Sequence, residues 1–378
     1  MTKDHHHHSD DDAVATDAAL RRPFRESYQA QVDQIAHTRA IFEAAAAPLG
    51  EQQSVLVSGG GLIRPLLQSE ITTLESCCYC QCKDWSKLRL WLDVDDGNDS
   101  TAAVTVTVTV VDRSGWLEQH VSHNTFEGTV VFRIVLSTNV DADADVVVDE
   151  QPSSSSSSFD PVAAGIHHNL LITNCIFNHN CRVYRNSIIK DTYIGIHAVV
   201  LNNGQLKCMT DSSEMIHGEL ELSVGPESGG GRKLRVQTES TMMDVCRMLG
   251  MSRRRLVVEP KTTTTTTTTT PAPIWNTIGN HCIVRDTPTL HNLYMAPHAR
   301  IAAATLIDTV VMLSDSHIDH ASTACRVLLQ WNASITHSSH VSDTLLMEEA
   351  HAGPHSLVAS SILGPDVHVS AGEVPSLV

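Results

Sequence analysis

From Phe159 onward the apolar positions fall into a period of six. Leu171, Phe177, Val183 and Ile189 are six apart, and the small residues Cys175, Cys181 and Ser187 stand four after each of the first three. A five-residue step leads to Ile194-Gly195, with Ala198 and Val200 repeating the pattern. After an interruption the spacing returns at Ile278-Gly279, Ile301 and Ile307, then at Leu329, Ile335, Val341 and Met347, and last at Leu357, Leu363 and Val369. Hairpin strands alternate with a period of two, whereas hexads turn two residues inward on each short face of a three-sided coil. The spacing predicts a mainly β fold, a left-handed parallel β-helix of hexapeptide repeats, with stacked short strands over 165–201 and 296–372. Leu171, Phe177, Val183, Ile189, Ile335, Val341, Leu357, Leu363 and Val369 should point inward. An ordinary buried sheet of evenly spaced strands is the competing reading.

Other periods mark other elements. Tyr28, Val32, Ile35 and Phe42 share one face of a helix that Pro48 should stop. Val104 to Val110 alternates valine with threonine, which predicts a strand with one buried face. Between the two hexad segments Thr241 to Leu249 reads as a helix ended by Gly250, a helical insertion in the β-helix. Homopolymers of histidine (His5 to His8), serine (Ser153 to Ser158) and threonine (Thr262 to Thr270) cannot build a core. The chain therefore divides into an acidic, His-rich tail (1–22), a mixed helical region (23–95) and an insertion with one strong strand and a Ser-rich linker (96–160). A first β-helix segment with the helical insertion (161–260), a Thr-rich linker (261–273) and a second β-helix segment (274–378) follow. With no polar capping element after the last hexad, the chain is expected to be a truncated form of a longer protein.

Composition narrows the function classes. Apolar residues make up 42% of 378, enough for a real core, while aromatics are only 4%, which leaves packing to Val, Ile, Leu and Ala. A formal charge of -17 argues against nucleic acid and anionic membrane as partners. No apolar run suits a membrane span or signal region, so a cytoplasmic protein is expected. The ten cysteines are too scattered for a disulfide framework and read mostly as reduced, buried small residues.

Leu62-Ile63-Arg64-Pro65-Leu66 with Glu70-Ile71, Leu74 and Asp84-Trp85, the pair Asn203-Gly204, the turn Glu227-Ser228-Gly229-Gly230-Gly231-Arg232 and the hexads from Ile278 onward carry a resemblance. The chain resembles an uncharacterised family of bacterial and protist left-handed β-helix proteins. The nearest named relatives of that family are the C-terminal β-helix domains of sugar-nucleotide pyrophosphorylases. The likeness covers 61 to 91, 120 to 133 and 160 to 378, and it departs at insertions near 95 to 118 and 136 to 160. It implies a fold, and an affinity for sugar-nucleotide-type ligands, more than an activity.

Candidate chemistry gathers at the glycine turn. Glu227 and Arg232 flank Gly229 and Gly230, whose backbone would let an anion approach while Arg232 forks onto it. Arg247 and Arg253 follow in the helical insertion, so the ligand-binding set is expected to be Asn203, Gly204, Glu227, Gly229, Gly230, Arg232, Arg247 and Arg253. A surface turn, with arginines paired to acids such as Asp244 and Glu259, is the bland alternative. The pairs His317/His320, His337/His340 and His351/His355 invite comparison with the zinc histidines of trimeric β-helix carbonic anhydrases, but the accompanying polar set has no counterpart. A single histidine such as His298, His337 or His340 would serve an acyltransferase as general base. Cys77-Cys78-Tyr79-Cys80-Gln81-Cys82 has a one-residue spacing unlike zinc knuckles, and Val57-Ser58-Gly59-Gly60-Gly61 lacks the ending of a phosphate loop. No metal or cofactor is assigned.

The resulting expectation is a β-helix scaffold or ligand-binding protein that recognises a sugar nucleotide or other anionic small molecule. A β-helix transferase moving an acyl or nucleotidyl group onto a sugar is the alternative. Oligomeric state does not follow from these patterns.

Overall fold

The computed structural model describes residues 36, 40–46, 55–57, 61–93, 113–135, 164–209, 215–216, 219–225, 232–249, 276–371 and 373–374. The tail, the strand expected over Val104 to Val110, the serine and threonine tracts, most of the helix expected around Tyr28, and Gly250 lie outside the described residues.

The described chain is mainly β, with two large sheets whose repeating part is parallel and a small antiparallel one. The repeat is best seen in the strand Leu171–Phe177, which bends at Asn174, and the shorter strand Arg182–Tyr184 that follows it. Ile188–Ile194 then pairs in parallel with Leu171–Phe177, and Val199–Leu201 with Arg182–Tyr184. Corresponding residues are 17 apart, as the bond from Asn186 to Asn169 shows. Two steps of six and one of five give that length, so the sixfold apolar spacing is shortened once in each repeat of the parallel sheets. Each repeat supplies three strand segments, and their inward residues belong to one core that includes Ile172, Phe177, Val183 and Ile189.

The shortened hexad corrects part of the inward set. Phe177, Val183, Ile189, Ile335, Val341 and Leu363 are fully or almost fully buried. Leu171 is half-buried and Leu357 is exposed, while their neighbours Ile172 and Val358 are enclosed; Val369 is half-buried in the last described repeat but packs on the core, in register with the buried Ala352. In a three-residue segment only the middle side chain faces the core, because successive side chains alternate. The register puts Ile189 beside Ile172 and Val341 beside Val358, which leaves Leu171 and Leu357 on the outer side.

Bends between segments are made by residues with positive φ, and these recur in columns. Asn180, His197, His281, His298, Asp315 and Asn332 form one; His123, His168, Arg185, Asn202 and Asp286 form another. Asn, Asp and His tolerate this backbone region better than most residues, which explains much of the histidine content. Just inside the second column runs a ladder of buried asparagines, Asn124, Asn169, Asn186 and Asn203, each at most 2% exposed. The Asn186 amide donates to Asn169 Oδ1 (2.8 Å) and to the Val200 carbonyl (3.0 Å). Its own Oδ1 accepts from the backbone N–H and side-chain amide of Asn203, both at 3.0 Å. The ladder satisfies backbone groups that the bend removes from strand pairing.

The 17-residue step is interrupted without loss of register. Thr287 stands to Asn203 as Asn203 stands to Asn186, although it lies 84 residues on. The extra chain leaves after Gln205–Lys207 and returns at Asn276–Ile278. It carries three short antiparallel strands, Met215–Ile216, Glu219–Val224 and Arg232–Gln237, and a helix Met242–Met248. The insertion is therefore a hairpin sheet as well as the expected helix, which Thr241 caps by accepting from the Asp244 backbone N–H.

Two elements cover the outer face of the large sheet. Val131, Ile176, Tyr193, Thr277, Tyr294, Val311, Leu328, Leu345 and Ile362 follow one another in register on successive strands. A helix over 40–46, α1, lays Ile41 and Ala45 on the first part of this strip. The insertion lays Leu220, Leu222, Val236 and Val245 on the rest. At the N-terminal end, helices α2 (Gln68–Ser76) and α3 (Ser114–His120) put Leu74 and Leu117 into the main core. They are tied by the fully buried Glu70, which accepts two bonds from Arg64 (2.8 and 2.6 Å) and the backbone N–H groups of Leu67 (2.7 Å) and Arg113 (2.9 Å). The insertion's helix is α4.

Replacing Asn186 by Leu takes the acceptor from the buried backbone N–H of Asn203, removes one of the two bonds of the Asn203 amide and one of the bonds to Asn169 Oδ1, and removes the amide that bonds the Val200 carbonyl. Each buried group left without a partner costs about 1–3 kcal/mol, so a loss of roughly 3 kcal/mol or more is expected in urea unfolding. A loss below ~1 kcal/mol would show that the ladder does not hold the register.

The histidine columns give the fold an acid-labile window. Rings stack at 4.5 Å between His123 and His168, and at 5.1 Å both between His197 and His281 and between His281 and His298. Burial pushes His167 from the ordinary 6.5 down to about 4, assisted by His168, His120 and His123. Burial also lowers His197, with His281 adding to it, and His351, with His368 adding to it. Because the unfolded chain takes up these protons first, stability is full above about pH 6.5 and falls as pH drops towards 4. Urea midpoints should decline between pH 7 and 4.5, above the range where ordinary carboxylates dominate, and His167→Gln should flatten the decline.

Candidate functional site

The outer face beside the Asn174 bend carries a groove of about 620 Å³. Its floor is Leu171, Thr173, Asn174 and Ile188, and its walls hold Lys83, Lys87, Lys190 and Lys207. The repeat explains the arrangement: Lys190 and Lys207 are register partners on neighbouring parallel strands, so their side chains leave the same face. Leu171 and Ile188 are a register pair two residues earlier. Lys83 and Lys87 come from the segment between Gln81–Cys82 and Leu88–Asp93, which lies alongside the strand Thr125–Val135. Gly128 sits in the wall with φ +70, and a Cβ there would lie 2.2 Å from Asn174 Oδ1.

The lysines stay in solvent and pair loosely with local acceptors. Lys83 lies 3.1 Å from Glu127, Lys87 3.8 Å from Asp84 and Lys190 3.7 Å from Asp191, while Lys207 donates to Gln205 at 2.8 Å. Asp84 is held below the usual carboxylate range first by its bond from the Ser86 hydroxyl, then by the Ser86 backbone N–H and Lys87. Four ammonium groups against the two carboxylates of Asp84 and Glu127 leave the lining net positive. Exposed pairs of this kind contribute little to stability and exchange readily for a ligand anion.

Asn203, Gly204, Arg232 and Arg247 are the described members of the expected ligand-binding set. Asn203 belongs to the buried ladder, its amide donating to Asn186 Oδ1 and the Val284 carbonyl while its oxygen accepts from Thr287. Gly204 is close-packed against the next strand, since a Cβ would lie 2.2 Å from the Pro288 carbonyl oxygen. Arg232 opens the strand Arg232–Gln237 opposite Val224, and its side chain is exposed. Arg247 pairs at 3.3 Å with Asp244 one turn back on α4. Glu227, Gly229, Gly230 and Arg253 lie outside the described residues. Sequence reasoning passed over the four lysines because single lysines on a surface carry no pattern; the spacing of Lys190 and Lys207 was the available signal.

Histidine and cysteine are arranged by packing. His320 stacks on His337 at 5.0 Å, and His351 on His368 at 4.5 Å. Among the described residues no group of three or more His, Cys, Asp or Glu is placed to hold a metal ion. All ten cysteines are free, and Cys78, Cys80, Cys175, Cys181, Cys208 and Cys282 are buried. Burial pushes the thiols of Cys78, Cys181 and Cys282 up to about 12, so they pack as neutral groups. No described helix is long and apolar enough to cross a membrane.

No family model, curated protein or solved structure matches the chain.

Arg232→Ala and Arg247→Ala should each change stability by less than ~1 kcal/mol, as expected for exposed pairs. A melting-temperature drop of many degrees in either variant would contradict this placement.

Proposed function

We propose that the molecule is a β-helix scaffold that holds an anionic small molecule in the lysine groove. In this reading each 17-residue repeat is one turn of a parallel β-helix, the left-handed, hexapeptide-derived kind being the form that the sixfold spacing suggests. One observation carries the functional part: a chain of net charge -17 gathers Lys83, Lys87, Lys190 and Lys207 around a single groove. The general field of an acidic protein repels anions, so a locally positive lining has value where an anion is wanted. Lysine ammonium groups suit phosphate as point charges, and the aliphatic Leu171 and Ile188 suit a flat or apolar moiety beside it. A sugar nucleotide combines both features.

A binding role fits this lining better than the transferase alternative. Neither histidine nor cysteine is among the described residues that line the groove, so it offers no imidazole base and no thiol nucleophile.

The test is a thermal-shift and calorimetric titration of the full chain with a uridine diphosphate sugar, uridine diphosphate and inorganic phosphate. Binding raises the melting temperature by mass action. Lys190→Glu with Lys207→Glu should weaken that binding by at least about tenfold without lowering the ligand-free melting temperature by much. Affinity should also fall between low and physiological salt, because the groove is open. Lack of stabilisation by all three ligands, or equal binding by the double variant, would overturn the proposal.

A further inference from the structure

A second groove, of about 490 Å³, lies on the other side of the fold's chemistry, between the insertion and the bends that follow the strands Thr323–Leu329 and His340–Leu346. Its insertion wall is well anchored. The buried Gln330 amide donates to the carbonyls of Thr238 (3.0 Å) and Ser240 (2.9 Å), just before α4 begins. Val245 packs from α4 onto the apolar strip with Leu328 and Leu345. A wall held at both ends keeps the groove open without a ligand, which lowers the cost of binding.

The lining is apolar and acidic together. Trp331, Met242 and Met248 supply a ring and two accessible, polarisable thioether side chains, with the buried Met347 beneath them. Glu239 and Glu348 supply carboxylates, as does Asp244, which is already paired with Arg247 at 3.3 Å, and Arg235 is the one cation among the described residues of the lining. Arg235 is exposed and lies 3.7 Å from Glu221 on the neighbouring strand, a carboxylate it shares with Lys233. Past Glu348 the bend column continues with Glu349 and Asp366, both of positive φ. A hydrogen bond to Asp366, together with that residue's charge, raises the Glu349 carboxyl above its ordinary value, so negative charge is crowded next to Glu348.

We propose that this groove binds an organic cation, an ammonium or guanidinium group on an aliphatic stem. The stem lies along the methionines, the cationic head meets the Trp331 ring and the carboxylates, and the contacts together exceed what either surface offers alone. The groove has the volume of an ordinary small-molecule site. It is separate from the lysine groove in both position and sign of charge, so the two proposals stand or fall independently.

Agmatine, with a guanidinium and an ammonium on a four-carbon stem, is the probe, titrated calorimetrically into the full chain at physiological salt. Saturable binding at one site is expected, weakened at least about fivefold by Glu348→Gln and by Trp331→Ala. Glu348 is exposed and its substitution leaves packing intact, so that variant decides the matter even if Trp331→Ala fails to fold. Glu75→Gln, an exposed carboxylate on α2, is the control for general attraction to an acidic chain and should leave binding unchanged. Non-saturable binding, or equal loss in Glu75→Gln and Glu348→Gln, would overturn the proposal.

Discussion

Everything in this fold depends on the register that brings each residue beside the one 17 places away. The asparagine ladder is where that register is enforced chemically. At the bend inside Arg185 and Asn202 the backbone turns out of its strand, and the N–H of Asn186 finds Asn169 Oδ1 at 3.0 Å instead of a carbonyl. A slip of one residue would put every asparagine against an apolar side and leave several buried amides unbonded, each costing about 1–3 kcal/mol. The ladder stops at Thr287 and hydroxyls take over, with Ser322 donating to the Asp319 carbonyl at 2.6 Å. There the bend also lengthens to two residues of positive φ, His320 and Ala321. The N–H of Ala321 then reaches the Ala303 carbonyl directly at 2.6 Å, so a side-chain amide is no longer needed.

A repeating sheet has two faces, and only one can be the core. The outer strip from Val131 to Ile362 is apolar except at Thr277 and would be an adhesive stripe if left in water. Two unrelated pieces of chain hide it, α1 over the first strands and the insertion over the rest. The insertion thus has a structural reason to exist apart from any ligand. Its edge against the Gln330 and Met347 bends creates the acidic groove, while the uncovered strip beside the Asn174 bend carries the lysines. Opposite local charges arise on one acidic molecule because covering one face leaves the other exposed.

At His197 a bend with positive φ is linked to the fold's response to acid. The same backbone preference admits Asn, Asp and His, and the 17-residue step stacks whichever is chosen. Stacked neutral imidazoles pack well, but protonation places like charges about a strand spacing apart. His197 is the clearest case, since burial lowers it and it bends the chain where its ring stacks on His281 at 5.1 Å.

Hexads in the sequence determined that short strands repeat and that Phe177, Val183, Ile189, Ile335, Val341 and Leu363 are core, because burial of every middle residue imposes a period that needs no knowledge of neighbours. Thr241 to Leu249 was legible as a helix for a similar reason: the capping residue and the apolar face are both local. The five-residue step from Ile189 to Ile194 was legible, but its recurrence in every repeat was not, since it shifts Leu171 and Leu357 outward without changing any residue type. Nor could the pattern show that Asn203 bonds to Thr287, or that Glu70 closes α2 against Arg64 and Arg113; such partners are distant in the chain and are chosen by packing. The candidate sites depended most on tertiary structure. Lys83 and Lys190 meet across a groove only because the strands between them stack, and Trp331 faces Glu239 only because the insertion folds back onto the sheet. Local propensity and period are written residue by residue, whereas a site is a set of distances between segments, and those are decided by which surfaces bury each other.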